Sequence, residues 1–385
     1  MTLKTNPTQT NSTYRPLVSA LYYAQPWETS YSRVYGIMGG RLTRRVNAAP
    51  SLEFEYMNPR GGNTELFTVG GKVKLLLDWS VTDTDLAQFI GIITPGAGIS
   101  RGTGKSVSIH AVGFSSLLGK EYQLIGEYYL GSAPTTLHEE TFEDFEAGVA
   151  IRKLVSNLSG SPLDISGVAS SNPEKVIGRD IILPEGWSLK SALVSKIVEG
   201  MIDADESANI PRPYYWFETS DRGSDIPGFY VRKFPDLGVA PALRTLDWDD
   251  EIIDSTDNVR VDQATRCICV SSRDRTVYEV FQSDSAVERY GLLDAKIDWN
   301  STNRDDLFKM AWRYVQSHKS PFRSISVSTP FAIDIMPLEV LQINNGPYGF
   351  EGKQAVVEVS IPFGNSPGLT EITLASQEEV ITDLV

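Results

Sequence analysis

Histidine and cysteine are almost missing from this chain: three of the first and two of the second in 385 residues. His110, His138 and His318 stand far apart, and none lies in a ligand motif. Cys267 and Cys269 make one Cys-x-Cys with no second pair, so the spacing of a zinc site is lacking. On a strand their α-carbons would lie roughly 6.5–7 Å apart, at or beyond the edge of disulfide geometry. They read as small buried hydrophobes. No Gly-x-Ser-x-Gly elbow occurs. The expectation is no metal, no cofactor, no catalytic residue and no enzyme activity.

Basic blocks and long apolar runs are missing too. The chain has 49 acidic against 35 basic residues, a net charge of −14. Without a Lys/Arg block it cannot wrap a phosphate backbone by counterion release. The nearest approach to a basic patch is Arg41, Arg44 and Arg45, which reads as a solvated strand end, or else as a site for a negatively charged partner. The longest apolar candidate, Lys74 to Trp79, has strand length, so no membrane insertion is expected. Met1-Thr-Leu-Lys-Thr-Asn-Pro7 lacks the apolar core of a signal peptide, so a soluble protein made without Sec export is expected.

What is present is alternation. Arg323–Thr329, Leu338–Ile343 and Gln354–Ile361 switch between polar and apolar residues with breakers between them, the period of half-buried antiparallel strands. Similar runs fill the first third: Val34–Met38, Ser51–Tyr56, Lys72–Ser80, Phe89–Thr94, Ser106–Val112 and Tyr122–Leu130, with turns at Pro59–Asn63 and Pro95–Gly98. The pattern changes after Pro134. Thr141 and Asp144 form a capping-box signature, and Ala147, Ile151, Leu154, Val155 and Leu158 share a helical face. A small-residue loop, Ser159–Pro173, precedes a second helix from Ser188 with Leu189, Ala192, Leu193, Ile197 and Met201 on its stripe. An aromatic hairpin follows, Tyr214–Glu218 with Phe229–Arg232. Strands return at Val259–Val261, Thr265–Val270 and Thr276–Phe281. One helix over residues 305–317, capped by Thr302, interrupts them.

This predicts a mainly β protein with an α+β insertion, divided as follows: an N-terminal arm over 1–13, a first β-barrel over 14–135, an α/β insertion over 136–245, a second β-barrel over 246–375, and an acidic tail over 376–385. Three stretches invite a chemical reading. Gly98-Ile-Ser-Arg-Gly-Thr-Gly-Lys-Ser106 suggests a phosphate loop, but the glycine required five before Gly104 is Ile99, and a strand rather than a helix follows. It reads as a hairpin tip. Asp247-Trp-Asp-Asp-Glu251 gathers four carboxylates, yet glycosidase carboxylates come from separated positions, so a solvated turn is expected. The cluster Tyr214–Phe217 puts Tyr214 and Trp216 on one face and Tyr215 and Phe217 on the other. Aromatics on both faces imply a covered layer between domains or subunits rather than an open sugar platform.

The order of elements resembles the tail-hub or baseplate-hub proteins of tailed phages and related contractile injection systems. Phe89-Ile-Gly-Ile-Ile-Thr94, Ser106–Phe114 and Leu117-Leu118 are similar to that family's first-barrel hairpin. Phe142–Leu158, Leu183–Trp187 and Leu189–Gly200 resemble its helical insertion. Leu246–Ile252 and Asn258–Val261 match the entry to the second barrel, and Arg289-Tyr-Gly291, the helix to Pro321 and Met336–Val340 its close. The glycine usual after Pro337 is Leu338 here. The resemblance implies two similar barrels per subunit and a homotrimer forming a pseudo-hexameric ring. Such a ring joins the tail tube protein to a spike or tip protein and other baseplate proteins, with DNA only in transit through its channel, as a virion component. A carbohydrate-binding or carbohydrate-cleaving β-protein is the rival reading. A secreted adhesin is disfavoured by the missing export signal.

Overall fold

Alternating runs become one large sheet in the structure, a computed structural model. It describes residues 18–57, 67–78, 87–94, 99–101, 106–125, 145–156, 158, 163–168, 176–178, 186–199, 201–203, 214–220, 226–260, 263–299, 302–319, 322–330, 335–346, 351–364 and 369–375. The arm, the acidic tail, the capping box at Thr141 and most of the loop 159–173 lie outside these residues. Eight strands come first: β1 (Val18–Ala24), β2 (Ser32–Val34), β3 (Ile37–Arg45), β4 (Ser51–Met57), β5 (Lys72–Asp78), β6 (Ala87–Ile93), β7 (Ile99–Arg101) and β8 (Ser106–Gly113). They pair antiparallel in the order β3-β4-β8-β6-β5-β1-β2, with β7 on β8. Leu52, Phe54, Val107, Ile109 and Ala111 point inward, and Phe67 stands edge-on to Tyr23, Phe54 and Tyr56. Strands β2 and β3 lie at opposite ends of this order, yet only two residues link them. Val34 and Ile37 can be no more than about 11 Å apart. The sheet must therefore curl back on itself, although among the described residues β2 pairs with β1 alone.

A 3-10 helix, Phe114–Gly119, leads from β8 into the middle region. This holds β9 (Tyr122–Ile125), β10 (Phe145–Glu146), α1 (Ala147–Ser156), β11 (Val176–Gly178), β12 (Gly186–Leu189), α2 (Lys190–Glu199), β13 (Met201–Asp203), β14 (Tyr214–Ser220) and β15 (Pro227–Lys233). The second helix starts at Lys190 rather than Ser188, because Ser188 and Leu189 extend β12 to pair with β9. Its buried stripe is Leu193, Val194, Ile197 and Val198, while Ala192 is exposed. Both helices pack their apolar faces together and onto Trp216 and Phe229.

The last region runs β16 (Arg244–Asp247), β17 (Asp254–Arg260), β18 (Arg266–Ser271), β19 (Tyr278–Gln282), α3 (Asp284–Tyr290), β20 (Asp294–Trp299), α4 (Arg304–His318), β21 (Phe322–Thr329), β22 (Val340–Asn344), β23 (Gly352–Gly364) and β24 (Thr370–Ala375). Strands β19-β18-β20 form a small separate sheet with α4 on one face. The helix is capped by Asn303, whose Oδ1 accepts the Asp305 N–H at 3.0 Å, and not by Thr302.

Two separately closed barrels are not found among the described residues. Strand β23 joins both strand sets into one 14-stranded sheet. One edge of β23 pairs with β24, and the other pairs first with β22 and then with β3. The cause is its length. Thirteen residues, buried for most of that length, span roughly 40 Å and reach from one unit into the other. Nor is 246–375 one barrel throughout, since residues 266–318 build the side lobe with its own core of Cys267, Cys269, Leu307, Ala311 and Val315.

Candidate functional site

The molecule's distinctive chemistry lies where its parts meet. The hairpin β14–β15 carries aromatics on both faces, and both are covered. Trp216 stacks on Phe229 at 5.3 Å between ring centroids, on the side of α1 and α2. Phe217 stacks on Tyr230 at 5.3 Å on the other side, among Val46, Leu338, Val340 and Val357. The alternation in the sequence places these rings correctly. The layer lies between the helical region and the large sheet, and a sugar platform is ruled out at Trp216, which is 6% exposed.

Glu218 continues the Tyr214–Trp216 face and was not singled out by sequence reasoning. It is 1% exposed. Its Oε1 accepts the Phe114 N–H at 2.9 Å and its Oε2 the Ser115 N–H at 2.7 Å, at the start of the 3-10 helix. Gly113 makes room for it, because a β-carbon there would stand 2.6 Å from the carboxylate. Burial pushes its pKa from 4.5 up to about 7, against the pull of the donors at Ser115 and Phe114. The signal in the sequence was an acid following four aromatics in a strand, where alternation points it inward.

The arginine trio lies on β3 at the seam with β23. Arg41 bridges to Glu371 at 2.9 Å and donates to Ser360 Oγ. Arg45 lies opposite Glu358 in register. Arg44 departs from the solvated strand end expected of it. It is 1% exposed and donates through Nη2 to the Gln88 carbonyl at 2.8 Å and to Gln88 Oε1 at 2.5 Å. Its Nη1 donates to the Ile335 carbonyl at 3.5 Å, so one guanidinium ties β3 to β6 and to the segment before β22. Alternation alone could not show that a second unit covers this stretch of β3.

The remaining candidates fall in turns, strands and cores where they are described. Residues 248–251 form a turn. Glu251 accepts from Arg244 and from the Asp247 N–H, Asp247 accepts from the Asp249 N–H and Asn345, and Trp248 packs against the main core. Strands β7 and β8 pair antiparallel as Ile99↔Ile109, which makes a hairpin of the suspected phosphate loop, whose residues 98 and 102–105 lie outside the described residues. His110 stands 4.0 Å from Glu53, His318 stacks on Tyr314, and His138 lies outside the described residues. Cys267 and Cys269 are buried free thiols, pushed up by burial to about 11 and about 12, so they stay protonated. Among the described residues no three His, Cys, Asp or Glu side chains gather as a metal set. Nor is any helix long and apolar enough to cross a membrane.

No family model and no curated protein sequence matches the chain. Solved structures do match it, over nearly its whole length. A tail protein from Neisseria meningitidis MC58 superposes with TM-score 0.60 at 13% identity, over 94% of this chain and 98% of that one. The 43 kDa tail protein of prophage MuSo2 from Shewanella oneidensis gives 0.60 at 10% identity, over 94% and 99%. Prophage tail protein gp18 from Listeria monocytogenes EGD-e gives 0.54 at 11% identity, over 93% and 95%. The chain has the fold of these phage tail proteins.

Proposed function

We propose that this protein is a structural hub of a phage tail baseplate, without enzymatic activity. It assembles as a homotrimer, joins the tail tube to a spike or tip protein, and lines the channel through which DNA leaves. The observation that carries this reading is end-to-end coverage. The shared fold takes in the large sheet, the helical region and the side lobe, and leaves almost no part of the tail proteins unmatched. The interior supports it. The buried polar groups Arg44 and Glu218 link one unit to another: Arg44 donates to the Gln88 carbonyl and amide oxygen, and Glu218 accepts from the Phe114 and Ser115 N–H groups. The carbohydrate reading loses its platform with the burial of Trp216.

Multi-angle light scattering on the purified chain, alone and with tube and spike proteins, tests the proposal. A trimer, or one that forms when the spike is added, is the expected result. A protein that stays monomeric with both partners present overturns it.

A further inference from the structure

Glu218 is a buried carboxylate that no cation approaches among the described residues. Its two oxygens are held by the Phe114 and Ser115 N–H groups, and Gly113 closes over it. Charged groups on the elements packed against β14 are engaged elsewhere. On β3, Arg41 pairs with Glu371, Arg44 holds Gln88, and Arg45 faces Glu358. On α2, Lys190 pairs with Glu121 at 2.7 Å and Lys196 is exposed. On β15, Arg232 lies over the rings of Phe217 and Tyr230, and Lys233 pairs in register with Tyr214 at the far end of the hairpin. On β8, His110 faces Glu53. Neither β6 nor the 3-10 helix carries a charged residue.

We infer that Glu218 is a proton-controlled latch between the aromatic hairpin and the first strand set, holding more tightly when it carries a proton. A desolvated carboxylate without a counter-charge is costly, and a carboxylic acid in the same place is not. Donors at Ser115, side chain and backbone, and at the Phe114 N–H offset part of that cost, and the balance still raises the pKa from 4.5 to about 7. An acid whose pKa is raised in the closed state stabilises that state fully below pH 4.5. The stabilisation is lost as pH rises through about 7. A detached, hydrated Glu218 gives up its proton near its ordinary pKa, so rising pH favours opening. Between pH 5.5 and 8 the opening equilibrium grows roughly 30-fold. The hairpin carries α1 and α2 on its Trp216 face, so the latch governs how firmly the helical region is attached.

Hydrogen-exchange mass spectrometry on the full chain tests this, after correction for the intrinsic pH dependence of exchange. Protection of the peptides covering 113–116 and 214–220 should fall roughly 30-fold from pH 5.5 to 8. In E218Q it should stay level. If E218Q does not fold, the carboxyl carbon of Glu218 in the wild-type protein is titrated by NMR instead. A midpoint near 7 supports the latch, and a midpoint in the ordinary carboxylate range overturns it. Protection that does not change with pH in the wild-type protein also overturns it, whatever the titration gives.

Discussion

Leu338 shows how a residue departs from its neighbours' rules. It adopts φ 65, a left-handed backbone that disfavours side chains, yet it is buried with Tyr215 and Val340 and its N–H donates to the Val356 carbonyl. This is the position at which the hub resemblance expects glycine, and the backbone supplies the reason. Leu338→Ala loses the buried side chain and keeps the strain, whereas Leu338→Gly loses the side chain and relieves the strain. Urea unfolding should therefore show Gly less destabilising than Ala by about 1 kcal/mol, the reverse of the usual order. Equal or inverted costs would mean that the positive φ carries no strain. Arg44 makes a second test. Its guanidinium reaches two chain segments at once, so Arg44→Lys should cost about 2–3 kcal/mol through unsatisfied buried acceptors, despite the retained charge. The departure at Leu338 was visible in the sequence, but the conformation behind it and the burial of Arg44 were not. Leu338 bonds to Val356 and packs against Tyr215, and Arg44 reaches Gln88, 44 residues on, and Ile335, 291 residues on, so neither follows from its neighbours in the chain.

Elements were legible where one face meets a core and the other meets solvent. The run at Ser106–Gly113 and the stretch 325–329 of β21 alternate in burial as they alternate in sequence. Thr370–Ala375 alternates in burial as well, with Glu371 on the open face, but it and Val18–Ala24 are not among the strands that the sequence reading predicts. The side lobe was hidden for another reason. Arg266–Ser271 looks like any other half-buried strand, and nothing local says that it pairs with Asp294–Trp299 in parallel instead of joining the main sheet. Two element-scale predictions follow from the contacts. Asn303→Ala should cost about 1 kcal/mol by loss of the α4 cap, while Thr302→Ala leaves stability unchanged, measured as shifts in urea midpoint. Trp216→Ala should cost about 3–5 kcal/mol, because it empties the seat between the two helices and β15.

At the scale of the whole molecule, alternation predicted a mainly β chain and composition a large core with a net charge of −14, while the single sheet came only from the structure. The charge bears on the proposed channel. DNA in transit would bind a basic wall at every step, whereas carboxylates repel it over about 8 Å at physiological salt. With Arg41 bridged to Glu371 and Arg44 buried, two arginines of the basic trio are already engaged within the subunit. An experimental structure of the assembled ring should show a net negative lumen. A wall dominated by unpaired Lys and Arg would refute the non-stick argument and leave the hub assignment standing.

The seam between β3 and β23 also sets a timetable for synthesis. Arg41 and Ser360, which touch across it, are 319 residues apart in the chain. A ribosome adding 5–20 residues per second takes roughly 15–60 s to cover that distance. For all of that time the N-terminal strands can form among themselves while one long edge of β3 waits without its neighbour. A bare edge of this kind is a template for the wrong partner, including the same edge on another nascent chain. Strand β23 thus acts as the cover of that edge, and a chain that stops short of Gly352 should reach the cell as aggregate.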